Sequence, residues 1–247
     1  MNFIRIIKFD FMNIIKNPSL LFSNTIFPLI LIGVMGFVTR NSFGAGEANS
    51  YDYYGVNMMI FMAMLIAMTA SNAFMEETVK KGNIRIVYAP VSKIEIYLSK
   101  LISTYLFGTV SFSVLLFVEQ TFFNINFGGR NIIYIILLIN MLLLFGCSLG
   151  TLFCCIFKSE EGASGMLQIP VAIFTVLGGV FFNIHRLGRI VDIMCYLTPV
   201  KWVQVCAYKI IYDNDFSIYM LVLTILISCS IACIIISQII FKPEEYV

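Results

Sequence analysis

The sequence predicts an all-α integral membrane protein. Three observations carry that reading. Of 247 residues, 60% are hydrophobic and 12% are charged, where a soluble domain of this size is about 45–50% apolar and about 25% charged. Mean hydropathy is +0.91. The apolar residues are gathered into runs long enough to cross a bilayer, which takes about 20 residues each.

The first element differs from the rest. Residues 1–20 read MNFIRIIKFDFMNIIKNPSL. Ile4, Ile7, Phe11 and Ile14 recur at steps of three and four, as one face of a helix does. Arg5, Lys8 and Lys16 are available for the opposite face. The pattern predicts an amphipathic helix lying in the membrane interface, ending where Pro18 begins the next helix. A cleaved signal peptide fits less well: the apolar run starts late, is too long, and lacks a well-placed small-residue cleavage site.

Six crossings follow, at 21–39, 54–75, 98–122, 131–157, 165–183 and 217–241. Between the second and third lies a charged connection, 76–97. Glu76 and Glu77 precede Lys80 and Lys81 by four residues, the favourable order for helical ion pairs. The second helix therefore extends beyond the bilayer until Gly82 and Asn83 interrupt it. Ile84, Arg85, Ile86, Val87 and Tyr88 form a short mixed segment. After Pro90 and Val91, Ser92 is placed to cap the third crossing, with Glu95 at the capping-box position. Two readings of the segment stay open. It is a solvated loop, or a small apolar knob that docks in a cleft on a soluble partner.

With the N-terminus inside, ten Lys and Arg fall on the cytoplasmic side and six outside, four of those six within 184–216. Leaving that connection out, the ratio is ten to two, so both termini are expected in the cytoplasm. A net charge of +2 is too weak to suggest a nucleic-acid partner. The seven Cys form no metal or disulfide framework, although Cys195 and Cys206 share one connection and could pair. With a single His185 as well, no metal site is expected. Asn140 sits in mid-span, as helix–helix glue or as a cavity lining. Glu119, near the end of the third run, is a functional candidate by default, but Gln120 and Asn124 nearby place it at the interface.

Lys16-Asn17-Pro18, Pro28, the run Gly82 to Ser92 with Lys100-Leu101, Pro170, Gly178-Gly179-Val180-Phe181-Phe182 and Leu197-Thr198-Pro199 follow one another in an order that resembles the ABC-2 type permeases. These are membrane subunits of ABC exporters. The resemblance spans nearly the whole chain. It implies that 76–97 is the coupling element seated on a separate ATP-binding subunit. It also implies that 184–216 dips back into the outer leaflet as a re-entrant segment. There Asp192, Asp213 and Asp215 would partner the basic residues, and Trp202 and Tyr208 would sit at the interface. An outer gate is implied at Gly178, Gly179, Phe181, Phe182 and Pro199, with Asn140 as a candidate pathway residue; the phenylalanines are a plug or a lipid contact. No G-x-x-x-x-G-K-[ST] loop occurs, so the chain itself has no such cradle for ATP. ATP and Mg would reside on the partner, no cofactor on this chain, and a second copy or a paralogue would complete a dimer in a bacterial cell membrane. The cargo would be a drug, an antibiotic peptide or a lipid-linked molecule. The alternative is an ATP-independent secondary transporter or channel.

Overall fold

Asparagine and proline make the first break. The computed structural model describes residues 3–40, 49–75, 91–181 and 189–241. Helix α1 (Phe3–Lys16) stops before Asn17, whose side-chain oxygen accepts from the N–H groups of Ser19 and Leu20 at 3.0 and 3.4 Å. Pro18 takes the first helical position of α2 (Pro18–Val38), where its missing N–H costs nothing. The buried seam of α1 is Ile6, Asp10 and Ile14. Of the four residues in the expected apolar stripe only Ile14 is buried, and Ile4 is 76% exposed.

Within α2 the turn Phe22–Ile26 is π-helical. Pro28 accounts for it. A proline ring crowds the carbonyl four residues back, here Asn24, and a widened turn relieves the crowding. The Phe27 N–H accordingly bonds Phe22 O, five residues back. Asn24 turns its amide inward and donates to Leu20 O and to Thr69 Oγ1, both at 2.8 Å.

The centre of the bundle is α3 (Ser50–Met75) against α5 (Ile132–Phe157), with α4 (Lys93–Phe122) alongside. In α3, 78% of the most apolar stretch is buried, against 22% in α2 and in α9 (Tyr219–Ile240), so α2 and α9 form the flanks. Gly146 and Gly150 let α5 lie directly on α3: a Cβ at either would collide with the backbone carbonyl of Ala63 or Ala67. Small residues one turn apart are how membrane helices approach this closely. The capping box at Ser92 is formed, with Glu95 N–H donating to Ser92 Oγ and Ser92 N–H to the Glu95 carboxylate.

Helix α6 (Glu160–Leu177) replaces the expected crossing 165–183. It starts earlier, capped by Ser159, and stops earlier. Val180 N–H bonds Thr175 O and Gly179 N–H bonds Val176 O, with Gly179 left-handed at φ 77°. That is a glycine stop of Schellman type. Gly178 and Gly179 are therefore a terminator, not part of a helical crossing. Among the described residues five helices are long and apolar enough to cross a membrane, and α6 is a shorter apolar one. Two short helices, α7 (Arg189–Cys195) and α8 (Pro199–Tyr208), precede α9. Pro199 is the first residue of α8, capped by Thr198. Cys195 and Cys206 are both buried and no disulfide joins them, so the pairing considered for them is not made. Among the described residues all regular structure is helical.

Candidate functional site

At one end of the bundle, where α1, the last turn of α3 and the first turns of α4 meet, Lys100 is 3% exposed and so is Asp10. Lys100 Nζ donates to Asp10 Oδ1 at 3.4 Å and to Ala73 O at 3.2 Å. Ser99 Oγ donates to Asp10 Oδ2 at 3.2 Å. The ammonium also lies 5.7 Å from the centre of the Phe74 ring, within cation–π range. A buried ammonium survives only when paired and hydrogen-bonded, and here α1 and α3 supply the partners. Phe74 meets Phe241 edge to face and Tyr97 is tilted against both, an apolar packing beside the joint.

Above that end, α2 and α3 part to leave a cleft of about 320 Å3. This is at the lower edge of ligand-sized sites, about 300–1,000 Å3. Ser19, Ser23, Asn24, Thr69 and Asn72 give it polar edges, and Phe22, Phe27, Leu65 and Met68 give it apolar walls. Among the described residues no charged side chain lines it. Leu65, Met68 and Asn72 lie on the one half-buried stripe of an otherwise buried helix. The stripe continues to Phe61, whose ring meets that of Phe181 edge to face at 5.1 Å.

At the far end the chain turns at Gly179, just before Phe181. The Gly179 carbonyl accepts from Tyr53 Oη at 3.3 Å and from Gln204 Nε2 at 2.8 Å. Gln204 also donates to Asn57 Oδ1 at 3.0 Å, and its own oxygen accepts from Lys201 Nζ at 3.2 Å. Lys201 is 4% exposed. Val200 packs on Gly178 so closely that a Cβ there would stand 2.5 Å from Val200 Cγ1.

A family model described as ABC-2 type transporter matches residues 1–212. The chain belongs to the ABC-2 type transporter family. It is thereby the permease component of an ABC transporter, a membrane component of a kind that typically has no ATPase site of its own. No curated protein matches the chain.

The residues singled out in this ABC-2 permease fall in three places. Val91 and Ser92 lead into α4, beside the Asp10–Lys100 joint. Glu76, Glu77, Lys80, Lys81, Gly82, Arg85, Ile86, Val87, Tyr88 and Pro90 lie outside the described residues, as do Phe182 and His185. Gly178, Gly179, Phe181 and Pro199 gather at the far end. Asn140 is spent elsewhere: it accepts from Thr109 Oγ1 at 3.0 Å and donates to Ile136 O at 2.8 Å, the helix–helix bond rather than a cavity lining. Glu119 departs from its expected place at a wet interface. It is fully buried, and neither carboxyl oxygen has a hydrogen-bond partner.

Sequence reading missed Asp10, Asn57, Tyr53 and Gln204. The one usable signal was Lys100 itself, since a cation set inside an apolar helix demands an acid nearby. Among the basic residues of 184–216, Lys209 takes Asp215 at 2.8 Å.

Proposed function

We propose that this permease is the membrane half of an ATP-driven exporter in a bacterial cell membrane, moving an apolar or amphipathic drug, antibiotic peptide or lipid-linked molecule outward. The observation that carries this is the continuous α3 stripe. It runs from an uncharged, polar-edged cleft near the Asp10–Lys100 joint to the Phe61–Phe181 contact at the far end. An uncharged lining suits cargo with an apolar body and neutral polar groups, and alternating access would open such a path at one end at a time.

In this reading both termini are cytoplasmic and α6 serves as the fifth of six crossings. Residues 1–20 lie in the interface, and 184–216 is a re-entrant segment of the outer leaflet. Residues 76–97 seat on a separate ATP-binding subunit, which holds ATP and Mg; this chain holds no cofactor. Movement of that subunit reaches α3 and α4 together, because Lys100 binds the last turn of one to the first turns of the other and to α1. A second copy or a paralogue completes the pathway, with membrane lipid around it.

The test is gentle detergent capture of the tagged chain from its native membrane, with mass spectrometry of what accompanies it. A stoichiometric ATPase with a phosphate-binding loop supports the reading and reveals any second permease. A well-folded, abundant chain with no ATPase points instead to an ATP-independent secondary transporter or channel.

A further inference from the structure

We propose that Gln204 is the positioning residue that latches the outer gate, holding the Gly179 turn shut against α3. This rests on the permease reading above and adds to it the residue that keeps the far end closed.

The geometry carries the assignment. Gly179 lies just past the end of α6, so its carbonyl has no helical partner and takes donors from two other elements, Tyr53 on α3 and Gln204 on α8. Gln204 is fully committed: both amide hydrogens and the oxygen are used, by Gly179, Asn57 and Lys201. It is bonded both to α3, through Asn57, and to the α6 stop, through Gly179. Lifting the Gly179 turn, which Phe181 must follow, breaks the Gln204 bond and the Tyr53 bond.

The experiment uses the full chain, with whatever accompanies it in cells, in a background with the seven native cysteines replaced. Val180→Cys is the reporter, because Val180 is fully buried behind the turn and reacts only when the turn lifts. The probe is a membrane-impermeant maleimide added to whole cells. With Gln204→Leu, labelling is expected to run roughly fivefold to tenfold faster, the shift given by losing one buried hydrogen bond. Tyr53→Phe, which removes a single hydroxyl, should raise it in the same direction.

Unchanged labelling in Gln204→Leu at normal membrane abundance overturns the latch. If that variant does not reach the membrane, Tyr53→Phe decides alone, faster labelling supporting the latch and an unchanged rate overturning it. The readout needs neither ATP nor a known cargo. A failed latch is thus distinct from a failed exporter reading, which would show as an absent ATPase in the capture experiment.

Discussion

Asp10 and Lys100, ninety positions apart, form a buried ion pair that joins α1 to α4, and the same ammonium reaches the carbonyl of Ala73 in the last turn of α3. The pair thus ties together the helices that flank residues 76–90. Removing one partner of a buried pair strands the other charge, which costs about 3–5 kcal/mol, whereas replacing both by apolar groups of similar volume is often neutral. Asp10→Asn and Lys100→Met should each lower the melting temperature in detergent by several degrees. Asp10→Leu with Lys100→Met should recover most of the loss. If the single variants melt with the wild type, the pair is not the joint described.

The α5–α3 contact gives a second expectation. At Gly146 and Gly150 a Cβ would meet backbone carbonyls, which cannot rotate away, while at Gly165 in α6 it would meet nothing within 4 Å. Gly146→Ala and Gly150→Ala should destabilise by about 1–3 kcal/mol through overpacking. Gly165→Ala should stabilise by about 0.5–1 kcal/mol, since glycine is the poorer helix former. Thermal unfolding of the three variants checks the contrast, and equal effects at all three would remove the close approach from the account.

The five long apolar helices were legible because apolar runs of bilayer length have few other solutions, and the starts of α2 and α4 were legible because Asn17-Pro18 and Ser92 with Glu95 are local signals. What escaped was pairwise or rotational. The α1 stripe was read from Ile4, Ile7, Phe11 and Ile14, while its buried seam is Ile6, Asp10 and Ile14, because an acid at a core position looks like a surface residue until its lysine is known. Gly178-Gly179 fell inside the expected crossing 165–183, and periodicity cannot distinguish a glycine pair within a helix from a helix stop. Gln204 and Asn57 are 147 positions apart, and neither residue type announces a partner.

Glu119 offers a clean discrimination between structural and functional roles. Its carboxyl is buried without a hydrogen bond, so replacing it by an apolar side chain of similar size should help folding by about 1–3 kcal/mol. Glu119→Met is expected to melt higher than the wild type. If transport falls while stability rises, the acid is retained for function, as an intramembrane ionisable group is expected to be. A lower melting temperature would mean that the carboxyl has a partner after all.

Acid sensitivity should appear at the start of α9. The Lys209 ammonium, then the backbone N–H and hydroxyl of Ser217, hold the Asp215 carboxyl down from 3.8 to about 2. A depressed carboxylate contributes stability above its unfolded value and loses it as pH falls through the folded one. Lys209 is raised from its ordinary 10.5, chiefly by its bond to Asp215, so its contribution is present below that value and fades as pH rises past it. Both groups are solvated, so the effect is small. Asp215→Asn should melt slightly below the wild type near neutral pH, with the gap closing as pH drops from about 4 toward 2. A gap independent of pH would assign the loss to something other than this ion pair.

The proposed seat on the ATPase can be tested without knowing the cargo. Ile86 and Val87 are the apolar centre of a segment otherwise bounded by charges. If they enter a cleft on a partner, carboxylates there must be desolvated, and a buried unpaired charge is strongly penalised. If the segment is only a wet loop, the same carboxylates cost almost nothing. Ile86→Asp with Val87→Asp should therefore leave the chain inserted at normal abundance while ATPase recovery in the capture experiment falls at least about tenfold, equivalent to about 1.4 kcal/mol of lost affinity. Transport should fall with it. Undiminished recovery and transport at normal abundance would return residues 76–90 to a solvated connection and leave the Asp10–Lys100 joint as a structural tie alone.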